Sequence, residues 1–335
     1  MRINSPQRLP HLRLTMLIIA VNFAEFSGFD TQQLVRGAEV QAGFESHFDS
    51  PPPDTSSSQP LIYIVTSEHQ PRPVQIQILV PDSAKTMPDR KFPVLYVLPV
   101  EAEGEHRWGD PVREFTEPDL HNRHQLIVVF LNFVQLPWYA NHPSDPQIQQ
   151  ERFLIESVIP FVEQHAPAES QLSGRLLVGF SKSGWGAMTL LLRHPDLFAA
   201  AAVFDAPLMM QESGKFGSGS VFGSQENFEL YRLTDLIRKV DKDFKSELSP
   251  PRMAFIGGGN FQMDHDQFTE ILAREGLAHV VLSNINRDHS WNSGWVSPAV
   301  EWLAESHTLI NRRRESNSPK CQESQRQDSL CQDFQ

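Results

Sequence analysis

Clustered positive charge is scarce in this chain. Its 335 residues carry 29 Lys and Arg against 41 Asp and Glu, a formal net charge of −12. Nucleic acid is bound through clustered Lys and Arg, so it is not an expected partner. The one dense basic cluster, Arg312 to Arg314, opens a polar C-terminal stretch and reads as a solvated charge run. Cysteine is nearly absent too: Cys321 and Cys331 both fall in that stretch, which leaves no disulfide framework for the fold. "MDHD", Met263 to Asp266, sets two carboxylates around one histidine, but no second cluster completes a ligand set. No metal and no cofactor are expected. Long apolar runs are also missing. "LTMLIIAVNFA", Leu14 to Ala24, is too short to cross a bilayer as a helix, so no stable membrane span is expected. It follows a stretch bearing Arg2, Arg8 and Arg13, as a secretory signal does, yet Asn22 interrupts it and no A-x-A site follows. The chain is therefore read as either exported behind this segment or cytoplasmic with a disordered leader. No internal repeat is found.

What remains is ordinary globular material, 40% hydrophobic and 21% charged, with enough length for a large core that needs no covalent staple. The Pro- and Ser-rich "DSPPPDTSSSQP", Asp49 to Pro60, reads as a linker, so residues 1–60 are assigned as leader and linker. Residues 311–335 have almost no apolar side chains and read as a disordered tail. One folded domain is expected over 61–310. It begins with two alternating segments, "LIYIVT" and "VQIQILV", that suit an antiparallel hairpin. Continuous apolar runs follow at "PVLYVLPV", "QLIVVFLN", "RLLVGF", "AAAAVF", "RMAFIG" and "HVVLSNIN", separated by helical patterns. One of these, "QIQQERFLIESVIPFVEQHA", is expected to kink at Pro160. The fold class is thus α/β, a doubly wound and mostly parallel sheet entered through an N-terminal antiparallel hairpin.

"GFSKSGWGAM", Gly179 to Met188, lies between a buried strand and a buried helix. Strand, Gly-x-Ser-x-small, helix is the pattern of a nucleophile elbow, whose sharp turn exposes the serine hydroxyl and requires small neighbours two residues away. Gly179 and Ser183 are those neighbours. Lys182 can send its side chain to solvent while its backbone N–H, at the start of the helix, becomes an oxyanion donor. "DHSWNSGW", Asp288 to Trp295, puts His289 after the last strand, on the sheet edge where the Ser181 loop also emerges. A serine hydroxyl becomes a good nucleophile when an imidazole accepts its proton.

These two segments resemble the esterase D–like branch of the α/β-hydrolase fold, which includes feruloyl esterases, S-formylglutathione hydrolases and mycolyltransferases. "PVLYVLPV" corresponds to that family's strand leading into the oxyanion loop, and "LPWYANHP" to its Trp-Tyr segment. The resemblance implies Ser181 as nucleophile and His289 as base. Three departures stand out. The family's elbow reads Gly-His-Ser-Met-Gly-Gly-Tyr-Gly-Ala, and Ser183 replaces its second glycine. The His-Gly pair after the third strand is here Pro99-Val100, which leaves the backbone N–H of Val100 or Glu101 as second oxyanion donor. The acid normally found after the strand "RMAFIG" is matched by Asn260.

The acid that orients His289 is expected to be Asp205, at the end of "AAAAVF", with Asp264 as the alternative. Asp264 also reads as the N-cap of a helix, and Asn260 orienting the histidine without charge is a third option. Trp138, Tyr139, Trp185 and Trp291 are candidate linings of an acyl or aryl pocket, and each also suits a core or rim position. The expected partner is a small-molecule ester, and the expected activity is that of a serine carboxylic-ester hydrolase. A catalytically inactive binding protein of the same fold, or an acyltransferase using the same residues, stays open. The Gly- and Ser-rich stretch from Met209 to Phe228 reads as an excursion above the sheet.

Overall fold

The computed structural model describes residues 59–240, 244, 250–257, 259–283 and 287–316. The apolar run at Leu14 to Ala24 and both cysteines lie outside the described residues. The alternating segments form β1 (Leu61–Val65) and β2 (Val74–Leu79), paired antiparallel with Tyr63 opposite Ile76. The continuous apolar runs form β3 (Val94–Val97), β4 (Ile127–Phe130), β5 (Arg175–Phe180), β6 (Ala200–Phe204), β7 (Met253–Ile256) and β8 (Val280–Ser283). All eight lie in one sheet of order β1-β2-β4-β3-β5-β6-β7-β8. β2 joins β4 antiparallel, and β3 to β8 run parallel to one another. The fold is therefore the α/β-hydrolase type of mostly parallel sheet that the sequence pattern led us to expect, entered through its hairpin.

The apolar character of β3 to β7, broken only by Arg175 at the start of β5, follows from burial on both faces. Side chains alternate between the faces along each strand. On β3, Tyr96 joins one apolar cluster while Leu95 and Val97 join the other. The helix Lys182–Arg193 packs Ala187, Leu190 and Leu191 into the first cluster. The closing helix Val296–Ser316 packs Val296, Ala299, Val300 and Leu303 into the second. The parallel strands share one C-terminal edge, and the loops leaving β3, β5, β6, β7 and β8 gather there.

Three local features differ from expectation. The helical run around Pro160 is not one regular helix: it is α-helical over Gln150–Arg152 and Ile159–His165, with a wider π-type segment, Phe153–Val158, between them. Proline cannot donate to the carbonyl four residues back, and the looser register upstream absorbs the mismatch. The closing helix runs on to Ser316 and takes in the basic cluster assigned to the tail, because Arg313 and Arg314 sit in its last turn, where the helix dipole favours cations. The Gly- and Ser-rich stretch forms two short helices, Gly219–Phe222 and Gln225–Glu229. It is anchored by fully buried Phe222 and Phe228, whose rings lie 5.6 and 6.3 Å from that of Trp185. The short helices Pro111–Thr116, Leu120–His124 and Leu233–Lys239 leave no readable period in the sequence because each spans at most two turns. Among the described residues, no helix is long and apolar enough to cross a membrane.

A buried carboxylate ties the far end of the Lys182–Arg193 helix to the rest. Glu151, 3% exposed, accepts from Arg193 Nε at 2.7 Å, Asn141 Nδ2 at 2.9 Å and the Tyr231 hydroxyl at 3.1 Å, and lies 2.7 Å from His194 Nε2. Burial alone would raise its carboxyl, but the hydrogen bonds from His194 and Arg193 outweigh it and hold the group below the ordinary glutamate range. Removing one member of a buried ion pair strands the other. Glu151→Ala is therefore expected to lower the unfolding free energy by about 3 kcal/mol or more, read from urea melts at neutral pH. A carboxyl depressed in the folded state loses its contribution as pH falls through that depressed value, so the gap between wild type and variant should narrow in acid and not in base.

Candidate active site

The turn between β5 and the helix Lys182–Arg193 is strained. Ser181 has φ 54° and ψ −128°, a conformation L-residues rarely adopt. Its N–H is held by Phe204 O at 3.0 Å, its carbonyl accepts from Trp185 N at 3.1 Å, and its hydroxyl makes no capping bond. Gly179 is required here, since a Cβ on it would lie 2.3 Å from the Ser183 carbonyl oxygen. Ser183 is buried, and its hydroxyl donates to Phe180 O at 2.8 Å and accepts from Phe180 N at 2.9 Å. The serine that replaces a glycine thus fastens the strand end to the helix start.

His289 lies in the loop after β8, with Nδ1 2.6 Å from Asp205 Oδ2. Asp205 directly follows β6, has no exposed surface and sits at φ 39°. Its carboxylate also accepts backbone N–H groups from Asn260 at 3.0 Å and Phe261 at 2.6 Å, at the N-terminus of the helix Gln262–Arg274. Burial would raise the Asp205 carboxyl, but the His289 bond and these two backbone donors override it, so it stays ionised. Asn260 thus meets the acid through its main chain, while His289 Nδ1 faces Asp205. Asp264 is the third residue of that helix and not its cap. The helix begins two residues earlier, and the Asp264 carboxylate accepts from Met209 N at 3.0 Å. Gly259 lets this loop close, since a Cβ there would lie 2.4 Å from Arg287 O and 3.1 Å from Asp205 Oδ2.

The imidazole is packed by three aromatic rings. Phe180, the residue before Ser181, stands 4.7 Å from it, Trp108 4.9 Å and Phe261 5.9 Å. Among the described residues no hydrogen bond joins Ser181 directly to His289, and such bonds commonly tighten only when substrate is bound.

On the oxyanion side, Lys182 opens its helix, so its N–H has no intrahelical acceptor. Leu98 N bonds Val178 O at 3.0 Å, which sets the loop after β3 beside the elbow. Neither Val100 N–H nor Glu101 N–H has a hydrogen-bond acceptor among the described residues. The Lys182 side chain does not reach solvent as expected; its Nζ lies 3.6 Å from Glu101 Oε1, each side chain 13% exposed. Burial lowers the Lys182 ammonium, and the Glu101 charge opposes that shift.

Trp138, Tyr139 and Trp185 have no exposed surface and lie within the core. Tyr139 supports the site from behind. Gln150 Oε1 accepts its N–H at 2.9 Å, it holds φ 56°, and its hydroxyl donates to Pro99 O at 2.6 Å. Its ring fills the place of a Gly186 side chain, which fixes it against the elbow helix. Trp291, 2% exposed, borders a cleft of about 560 Å³ together with Val100, Glu101, Trp108 and Phe130. Ser181 and His289 do not line this cleft, which adjoins them across Glu101 and Trp108.

Sequence reasoning passed over Trp108 and the His265 ring. Trp108 sits in a loop without periodicity, and His265 stands out in the sequence only as the histidine of "MDHD". His265 is 3% exposed, and its Nε2 accepts Ala206 N–H at 2.9 Å, directly after strained Asp205. Burial pushes it down to about 4, against the pull of Asp205 and Asp266, so it is neutral with its proton on Nδ1. Among the described residues, no three His, Cys, Asp or Glu are grouped to hold a metal ion.

A sheet of this order, with a serine at a strained strand–helix turn and a carboxylate-anchored histidine on the same edge, is the architecture of the serine α/β-hydrolases. Residues 67–232 match a family described as "Putative esterase". A Mycobacterium tuberculosis protein named as an esterase is 26% identical over 145 residues, 41% of this chain and 30% of that protein. The chain thus spans less than a third of the length of the curated relatives it matches. Among solved structures, a ferulic acid esterase aligns with TM-score 0.59 at 19% identity, over 75% of this chain and 98% of its own. An S-formylglutathione hydrolase from Agrobacterium tumefaciens aligns with TM-score 0.57 at 16% identity, over 76% and 97%. A fluorophosphonate-binding serine hydrolase of Staphylococcus aureus aligns with TM-score 0.57 at 18% identity, over 73% and 98%. At these identities the likeness to the solved structures is one of fold. Over residues 67–232 the chain matches the model of that esterase family.

Two substitutions test the scaffold of the site. Gly179→Ala forces a methyl group into main chain and should leave no stably folded protein, a loss above about 4 kcal/mol by thermal melting. His265→Leu keeps the volume but leaves the Ala206 N–H buried without an acceptor, which should cost about 1–3 kcal/mol in urea melts.

Proposed function

We propose that the protein hydrolyses a small or aryl carboxylic ester through an acyl-enzyme on Ser181. Ser181 Oγ attacks the acyl carbonyl carbon while His289 Nε2 takes its proton. Asp205 holds Nδ1–H and stabilises the imidazolium that forms. The carbonyl oxygen becomes an oxyanion that accepts from Lys182 N–H and from Val100 or Glu101 N–H. Collapse of this intermediate breaks the ester C–O bond, and His289 returns its proton to the departing alcohol. Water, deprotonated by His289, then attacks the acyl carbon and releases the acid and free Ser181.

The observation that carries this reading is the 2.6 Å Asp205–His289 pair on the same sheet edge as strained Ser181. Tyr139 supports the oxyanion assignment. The carbonyl and N–H of a trans peptide point opposite ways, so a Pro99 carbonyl held by the Tyr139 hydroxyl leaves the Val100 N–H directed away from it. Burial raises the Tyr139 phenol well above its ordinary value, so it remains a donor. The cleft beside Trp108 and Trp291 takes the acyl or aryl group, a place that buried Trp138, Tyr139 and Trp185 do not offer.

Intact-mass labelling with a fluorophosphonate should add one adduct to wild type and none to Ser181→Ala, with labelling of His289→Ala slowed at least about 100-fold. Asp205→Asn should lower kcat on a p-nitrophenyl ester by about 10⁴, the cost of the wrong imidazole tautomer, and Asp264→Asn should stay within about twofold. Parental hydrolysis by Ser181→Ala would sink the mechanism. Absence of any adduct on folded wild type would favour a non-catalytic binding role.

A further inference from the structure

One departure from the family pattern meets Lys182 of the elbow in space. The oxyanion loop lacks its glycine and continues as Val100-Glu101, and the residue after the nucleophile is Lys182 where methionine is usual. We propose that the Glu101 carboxylate is a positioning residue that locks the oxyanion loop to the nucleophile elbow through Lys182 and to His289 through Trp108. This rests on the catalytic reading above.

A single oxygen makes both links. Glu101 Oε1 lies 3.6 Å from Lys182 Nζ and accepts from Trp108 Nε1 at 2.9 Å. Glu101 and Lys182 are also the residues whose main chains supply or flank the oxyanion donors, so the side-chain pair fixes the separation of the two donor segments. Trp108 carries the constraint further. Its ring stands edge-on to His289, 4.9 Å away at 87°, and its carbonyl accepts from Trp291 N at 2.8 Å. Arg107 covers the Trp108 ring at 5.0 Å. Oxyanion donors lower a barrier when they are held where charge develops, and a loop without a dedicated glycine turn needs another restraint. A pair of charges with side chains 13% exposed supplies one, because parting them strands each in a poorly solvated place. The peptide before Val100 is already held by Tyr139. Glu101 fixes the next one.

The test combines kinetics on a p-nitrophenyl ester with inhibition by a trifluoromethyl ketone, which forms the tetrahedral adduct on serine. Glu101→Ala and Lys182→Met should each lower kcat about 10- to 100-fold with KM within about threefold, since the interaction strengthens in the transition state. The ketone's Ki should rise by the same factor as kcat/KM falls. The double variant should be no worse than the worse single one, because both remove one shared link. Lys182→Arg, which keeps the charge, should recover most of the loss. Should Glu101→Ala fail to fold, Glu101→Gln retains the acceptor for Trp108, drops the charge and should still lose kcat. Folded variants with parental kcat and Ki, losses confined to KM, or additive losses in the double variant would overturn the proposal alone. Hydrolysis that survives Ser181→Ala would overturn the catalytic reading and this one with it.

Discussion

The left-handed backbone of Ser181 is the constraint on which the rest of the site depends. A residue at φ 54° costs about 1–3 kcal/mol and persists only where its surroundings leave no alternative. Here Phe204 holds the serine N–H, the helix holds its carbonyl, and Gly179 allows the Ser183 main chain to pass where a side chain would otherwise stand. Ser183 adds two hydrogen bonds to Phe180 across the turn. With the serine's own N–H and carbonyl both engaged, its hydroxyl and the Lys182 N–H are left without a partner among the described residues.

Asp205 illustrates how a fold holds a carboxylate delivered from a different strand. The loop after β7 has Asn260 where an aspartate is usual, yet it still serves the site, because its N–H and that of Phe261 bind the carboxylate arriving from β6. The helix N-terminus that follows favours a negative charge at that point whichever strand delivers it. Asp205 is itself strained at φ 39°, and neutral His265 secures the next peptide. A protonated His265 would lose that acceptor. The burial that keeps its value near 4 is therefore part of what holds the acid in place.

Around these groups the aromatic side chains divide their roles by depth. Trp138, Trp185 and Phe222 are core, with Trp138 and Phe222 packing on Trp185 of the elbow helix. Phe180, Trp108 and Phe261 ring the imidazole, while Trp291 and Phe130 face the neighbouring cleft. A tryptophan in the family's Trp-Tyr segment looks like pocket material in sequence, and its burial depends on what packs over it.

Much of this was legible in the residues alone. Runs such as Val94–Val97 and the part of β5 after Arg175 are apolar throughout because both faces are covered, and that single property is enough to read a doubly wound sheet from sequence. Gly179, Ser181 and His289 could be read because the chemistry of a tight turn and of the position after a last strand is local. Whether Asp205 or Asp264 faces the histidine was not local. Both lie near the same edge, and only the packing of the helix Gln262–Arg274 turns Asp264 toward Met209 and leaves Asp205 beneath His289. The Glu101–Lys182–Trp108 link and the burial of Tyr139 likewise join residues far apart in the chain. The sequence by itself determined the sheet, the elbow and the placing of Ser181 and His289 on one sheet edge, since these follow from periodicity and turn sterics within a few residues. Tertiary structure alone decided which carboxylate, which peptide N–H groups and which aromatic rings surround them, because those contacts depend on how separate loops meet above one sheet edge.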